Sequence, residues 1–464
     1  MRWPGWAVLT LCVLCLGVVL LSLAGVSQVG IDYLYADQWR IVGDYVTKPF
    51  PENVLGSQNG HRPVFPGLVH YGNWFVLGWE QKGVLWFGYL LALVCALSLL
   101  GLAKQVTAIS HAQCFCIGGL TLAMLLWPGA ARTLYHSNES LHSYLVLLPL
   151  IVGLRAIVAS SPGAVSLRRS VTLWFVLVSL GLLAALSFGT GLMVLPGFVL
   201  MSLLQKRPLA FSVSLVCAWL LLLYVYFVLL PVSAHSDTPG FTHLQQLQAL
   251  VWSAYHYLKW LGSPVAALMY HGLLLPILLG SDTAVLSVLR LFVAPSIALL
   301  SLLFISGVCL RTLRGGEQSP VHLALACAAL TMAGAGLMIV LARSSLYLLQ
   351  PLDMFSERYF VWSSFYWCCL LALLLLRSWG NAVVGLLMVV TLMLATSSVH
   401  YLQGPAQENA RRAQQVALRF ALGIEAPAGR WGANQLNRWG YETGDYVRVI
   451  DQLKREGVTV FSKR

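Results

Sequence analysis

Trp6-Ala-Val-Leu-Thr-Leu-Cys-Val-Leu-Cys-Leu-Gly-Val-Val-Leu-Leu-Ser-Leu-Ala24 carries no charge, and it soon gives way to Asp32-Tyr-Leu-Tyr-Ala-Asp37-Gln-Trp-Arg40. An apolar run of roughly 20 residues crosses a bilayer as a helix, because lipid offers the backbone no hydrogen-bond partner and a helix satisfies itself. The chain around it has the same character: 58% of its 464 residues are hydrophobic and 10% are charged, with a mean hydropathy of +0.75. A soluble globule does not have this composition. The chain reads as an all-α polytopic membrane protein. The first run could pass for a signal peptide, but Arg2 is its only basic flank and no small-residue cleavage motif precedes Asp32; it is taken as an anchor.

Similar runs fall near 6–26, 83–103, 112–131, 143–159, 171–187, 191–204, 209–231, 287–310, 322–342, 361–376 and 382–399, about eleven transmembrane helices by length. With a cytoplasmic N-terminus, Lys104, Arg155, Arg168, Arg169, Lys206, Arg207, Arg311, Arg314 and Arg377 all fall on one side. Basic residues in short loops mark the cytoplasmic face. Glu317 is then the one acidic residue inside, and the remaining carboxylates face out. The apolar stretch from Pro264 to Gly280 would invert everything after it if it crossed, placing Arg311 and Arg314 outside. The charge rule favours a re-entrant or interfacial helix there.

These assignments divide the chain into a membrane domain, 1–399, with a long first extracytoplasmic loop at 27–82, and a small extracytoplasmic C-terminal segment, 400–464. In that segment Glu408 to Leu422 and Asp445 to Glu456 read as helices around the Ala426-Pro-Ala-Gly429 turn. The net charge of +12 is largely topological, so nucleic acid is not expected as a partner. All ten cysteines lie in or beside apolar runs, where they behave as small hydrophobes and form neither a disulfide framework nor a zinc set.

Chemistry-bearing residues concentrate in the outer loops. Asp32, Asp37 and Asp44 follow the first span; a carboxylate at the membrane surface can accept a proton from a hydroxyl or help bind a divalent metal ion, or simply pair with Arg40. Gln58-Asn-Gly-His61-Arg62-Pro63, with Pro66 and His70 following, adds a proton carrier and a phosphate-sized cation, or forms a rigid connector. Arg132-Thr-Leu-Tyr135-His136-Ser-Asn138-Glu139 is dense in groups that suit sugar hydroxyls, although Tyr and His also belong at membrane interfaces. Arg358-Tyr359-Phe360-Val-Trp362 opens the penultimate span, where an arginine among aromatics holds a lipid phosphate or snorkels to headgroups. Arg290 is a lone charge entering an apolar span.

The arrangement resembles the GT-C superfamily of membrane glycosyltransferases in its cytoplasmic N-terminus, its long acidic first outer loop, its many helices and its extracytoplasmic C-terminal segment. Ala36-Asp37-Gln-Trp39 followed by Gln58-Asn-Gly-His61-Arg62-Pro63 is similar to bacterial members that carry an Asp-Trp element and then Asn-Glu-His-Arg; here Gly60 replaces that glutamate. The resemblance implies a bacterial inner-membrane enzyme with a periplasmic site. Such an enzyme moves a sugar, with inversion, from a polyprenyl-phosphate donor to a glycan, lipid or protein acceptor. It further implies Asp37 as the base, with Asp32 as its alternate, and Arg358 as a contact to the lipid phosphate. His61, Arg62, Arg132, Tyr135, His136, Arg343 and Tyr359 are further candidates for holding substrate. Competing readings are a flippase of a lipid-linked glycan, which needs ionisable groups or broken helices near the midplane, and a polysaccharide polymerase or ligase. The sugar, the acceptor and the need for a metal stay open at this level.

Overall fold

The computed structural model describes residues 5–30, 38–56, 61–106, 109–160, 167–230, 243–274, 283–316, 318–344, 359–377, 381–408, 410–411, 414–415, 451–452 and 454–455. Among these every regular element is helical. In chain order they are α1 (Gly5–Val29), α2 (Gln38–Thr47), α3 (Glu52–Leu55), α4 (Val64–Leu77), α5 (Gln81–Ala103), α6 (His111–Leu125), α7 (Ala131–Tyr135), α8 (Ser137–Ala159), α9 (Leu167–Ala185), α10 (Val194–Leu204), α11 (Leu209–Tyr224), α12 (His243–Ala267), α13 (Thr283–Val288), α14 (Ala294–Leu313), α15 (Pro320–Ala342), α16 (Phe360–Leu376) and α17 (Asn381–Tyr401). Wider π-type turns extend α11 through Val225–Leu229 and α12 through Leu268–Leu274, and another joins α13 to α14.

Nine of the described helices are long and apolar enough to cross a membrane, and two shorter apolar ones, Gly189–Leu204 and Phe360–Leu376, lie beside them. All eleven fall where the sequence places its apolar runs. Their outward faces carry Leu9, Leu20, Phe175, Leu221, Phe227, Phe292 and Leu300, all largely exposed. A soluble protein does not leave such a belt of apolar side chains bare, whereas lipid tails cover it at no penalty.

Helices of this kind gain little from burying apolar surface against each other, because lipid is equally apolar, so close packing and small residues decide the contacts. Gly88 of α5 meets α8: a Cβ there would lie 2.5 Å from the Ser140 hydroxyl. Gly336 of α15 is tighter still, since a Cβ would run into the Trp260 ring of α12, which is itself fully buried. Gly336→Leu should therefore destabilise the detergent-solubilised protein by about 1–3 kcal/mol through overpacking, read by thermal unfolding. Gly385 has open space around it, so Gly385→Leu should stay within about 0.5 kcal/mol of wild type.

The bundle has two chemically distinct ends. At one, Arg155 packs over Gly101, Arg207 donates to the Ile157 carbonyl at 2.8 Å, and Arg377 donates to Gln318 at 2.9 Å; Lys104, Arg168, Lys206, Arg311 and Arg314 lie exposed around them. A capping box at Ser110 and Gln113 starts α6 there, the Ser110 hydroxyl accepting from the Gln113 amide at 3.2 Å. Among the described residues, Asp44, Glu52, Glu80 and Glu139 all belong to the opposite, polar end.

One expectation changes in extent. Residues 264–274 are the far part of a longer helical stretch that starts at His243 and lies against α14, α15 and α16. Its last turn docks on α17, where Thr396 donates to the Gly272 carbonyl at 2.6 Å and the rings of His271 and His400 stack at 4.4 Å. Gln245, Gln246, Gln248, His256 and Lys259 dilute its hydropathy, which is why only its apolar end stands out in the sequence. Residues 275–280 lie outside the described residues. In the C-terminal segment, 407–408, 410–411, 414–415, 451–452 and 454–455 are helical, within or beside the two stretches expected to be so.

Candidate functional site at the polar end

The first loop is largely helical at its described residues and sits on the polar end. Phe50-Pro51 leads into α3, and α4 ends at Gly78 in the left-handed region (φ 57°), where the absence of a Cβ makes the conformation cheap. Trp79 follows, also at positive φ, and its fully buried indole packs with Tyr45, Trp74 and His70. Tyr45 donates to the Gly67 carbonyl at 2.6 Å, which ties α2 to α4.

A buried triangle joins this cap to the bundle. Gln38 donates through Nε2 to Gln81 Oε1 at 2.6 Å and to the Ser137 hydroxyl at 2.7 Å, and Ser137 in turn donates to Gln81. The starts of α2, α5 and α8 thus meet at one point. Asp32, Asp37 and Arg358 lie outside the described residues, as does the Arg132 side chain. Gln38, which follows Asp37 directly in the chain, is held in this triangle at 1% exposure.

Two further segments converge on the same end. The Ser187-Phe188-Gly189-Thr190 break between α9 and α10 presents the Phe188 ring to His61 at 4.0 Å and to His142 at 4.9 Å, and lies parallel to Trp362 at 6.0 Å. Gly189 permits this approach: a Cβ there would sit 2.6 Å from His61 Nδ1. Beside it Arg62 is buried, with its Nε donating to the Tyr226 carbonyl at 2.8 Å and its Nη2 to the Leu230 carbonyl at 2.6 Å, while its own amide donates to the Tyr226 hydroxyl at 3.0 Å. Arg62 therefore clamps the first loop to the end of α11.

His136, just before α8, and Asn138 in its first turn are buried next to His70 of α4, and Glu139 of the same turn is buried as well. Burial is the main force that lowers the His70 pKa, to about 3, with the neighbouring His142 and His136 adding to it and Asn138 opposing. The imidazole is neutral when folded. An unfolded histidine titrates near 6.5, so stability from this site is fully present above that pH and falls as pH drops from about 6.5 towards 3. His70→Leu should flatten that acid-side slope in thermal unfolding measured across the same range; an unchanged slope would show that His70 is not the group responsible.

The Asn73 side chain, the Trp79 indole N–H, Thr133 and Thr190 are buried polar groups that find no hydrogen-bond partner among the described residues. Protein interiors leave few such groups dry, so a concentration of them at one end of a bundle is a place for water or a polar ligand. Among the described residues no three His, Cys, Asp or Glu side chains are grouped to hold a metal ion.

Of the candidates from sequence, His61 shares the Phe188 ring with His142, His136 shares the His70 surroundings with it, and Arg62 is bound to the end of α11. Tyr359 is buried one turn before Trp362, with the Arg343 guanidinium 5.6 Å over its ring. Tyr135 points to the end of α1, its hydroxyl 2.5 Å from where a Cβ on Gly25 would lie. His142, Phe188, Thr190 and Gln38 join the site without having stood out as site residues. His142 lies four residues after Asn138 on α8, and the polar Ser-Phe-Gly-Thr break interrupts two apolar runs; those were the available signals. No family model, no curated protein and no solved structure matches the chain.

Proposed function

We propose that the polar end is the active site of a glycosyltransferase of the GT-C type, drawing sugar from a polyprenyl-phosphate donor at the periplasmic face of a bacterial inner membrane. The observation that carries this reading is the convergence of the first loop, the second outer loop and the Phe188 turn on one end of the bundle, where buried donors, acceptors and aromatic faces gather. Sugars bind through such combinations: hydroxyls pair with amide, imidazole and hydroxyl groups, while apolar ring faces lie on aromatics. A donor anchored by a lipid tail would reach this end of the bundle from the surrounding bilayer.

In this reading Asp37 takes the proton from the acceptor hydroxyl as that oxygen attacks the anomeric carbon. The bond to the phosphate oxygen breaks on the opposite face, inverting the centre, and the polyprenyl phosphate departs with the bonding electron pair. Cations must balance that leaving phosphate. Arg358, Arg343 and Arg132 are the candidates for this role, because the described bonds of Arg62 go to Tyr226 and Leu230.

Glycan mass spectrometry on cells with and without the protein tests the function, since a missing residue mass names the sugar. Unchanged glycans together with altered lipid-linked glycan on the two faces of the membrane would instead support a flippase. One observation favours that second reading: Lys259 and His256 are buried ionisable groups on α12, the Lys259 ammonium lying 4.6 Å over the Tyr255 ring. At Arg358, alanine should raise the apparent KM for a short-chain polyprenyl-phosphate sugar more than lysine does, because a guanidinium grips two phosphate oxygens and an ammonium offers one point charge. Equal donor dependence in wild type and Arg358→Ala would move the phosphate contact to Arg343 or Arg132.

A further inference from the structure

At the basic end, opposite the polar site, α9 and α11 leave a groove between them with a volume of about 460 Å³. Val171, Trp174 and Phe211 form its apolar walls, Ser170 and Ser214 line it, and Arg207 lies at its polar edge. We infer that this groove binds an anionic glycerophospholipid, with an acyl chain along α9 and α11 and the headgroup phosphate at Arg207.

Three independent features point to that occupant. First, the groove is lined by exposed Leu167 and Val171, a surface that lipid tails cover in a bilayer, and its size falls in the range of roughly 300–1,000 Å³ typical of small-molecule pockets. Second, Arg207 is held in place before any lipid arrives. Its Nη2 donates to the carbonyls of Ile157 and Ser160 and to the Ser160 hydroxyl, its Nε donates to Gln205 at 3.3 Å, and the guanidinium lies 5.7 Å over the Phe211 ring. The buried Trp174 indole N–H that lines the groove has no hydrogen-bond partner among the described residues. A fixed guanidinium edge beside an apolar slot suits a phosphate on a tail.

Third, the surrounding charge is of one sign. Arg168, Arg169 and Lys206 stand exposed at the same end, and no described carboxylate lies there. Each basic residue near an anionic headgroup adds roughly 1 kcal/mol, about fivefold in affinity per charge. That field selects an anionic headgroup over a zwitterionic one.

The test is native mass spectrometry of the full chain in detergent, offered phosphatidylglycerol and phosphatidylcholine at equal concentration. Wild type should retain phosphatidylglycerol preferentially. Val171→Trp, which fills the groove from a partly exposed position, should lose that retained lipid, and Arg168→Gln with Lys206→Gln should cut the preference by about fivefold per charge removed. Arg207 itself is kept, because truncating it would strand the Ile157 and Ser160 carbonyls and disturb the end of α8. Equal retention of both lipids by wild type, or full retention by Val171→Trp, would overturn the inference. So would preferential uptake of a polyprenyl phosphate over phosphatidylglycerol, which would make the groove a carrier site instead.

Discussion

Asp37→Asn is expected to leave the chain inserted and folded while lowering transfer by about 10²- to 10⁴-fold, the usual contribution of a general base. The amide keeps the carboxylate's shape and loses its basic oxygen, so binding should survive and kcat should fall. The neighbouring Gln38 triangle with Gln81 and Ser137 makes a companion variant informative: Gln38→Ala should reduce rate less and also lower thermal stability, because it leaves two buried polar groups without their shared donor. Initial rates in membranes, with unfolding temperature measured on the same preparations, separate the two. Asp32→Asn should hurt less than Asp37→Asn. The reverse order would make Asp32 the base, and full activity in both would remove acid-base catalysis by this loop.

Arg62→Ala is expected to have the largest effect on stability of any single change at the polar end. Its guanidinium serves the carbonyls of Tyr226 and Leu230, and its ring-facing edge lies 5.6 Å over Tyr226. Truncation leaves two buried acceptors unsatisfied at about 1–3 kcal/mol each. It also releases the first loop from the end of α11, so His61 should lose its seat on Phe188. Arg62→Lys retains the charge but has one donor head in place of a fork, and should recover only part of the loss. Thermal unfolding and protease sensitivity of the first loop report this directly. A variant of normal stability with a raised donor KM would show that Arg62 serves the phosphate rather than the fold.

Much of the architecture could be read in advance, because lipid imposes the rule. Apolar runs of spanning length must be helical, and the nine long and two shorter apolar helices fall where those runs lie. α12 was the exception: Gln245, Gln248, His256 and Lys259 break up its hydropathy, and only packing against α14, α15 and α16 buries its later part, while Leu247, Leu250, Val251 and Trp252 stay exposed. The first loop shows the same limit. Turn residues such as Pro51, Gly78 and the Asn59-Gly60 pair mark its punctuation, yet α2 and α4 are short helices that need a partner surface. That surface is supplied by their aromatic contacts around Trp79 and by the ends of α5, α8 and α11.

The candidate site divides along the same line. Residue type and order alone marked the outer loops as the place for chemistry, since a chain with so few charges keeps Asp44, His61, Arg62, His136 and Glu139 close to the ends of spans. Which of them meet is a property of helix packing. His61 and His142 are 81 positions apart in the chain and share one phenyl ring because Gly189 lets the backbone approach. Arg62, which by charge could hold a phosphate, is turned into a clamp by two carbonyls freed at the end of α11. Local sequence determines which segments are helical and which end they expose, through the solvent each must face. Tertiary structure decides which polar groups are satisfied and which are left for a ligand, because hydrogen-bond partners at such distances along the chain are set only when the helices close together.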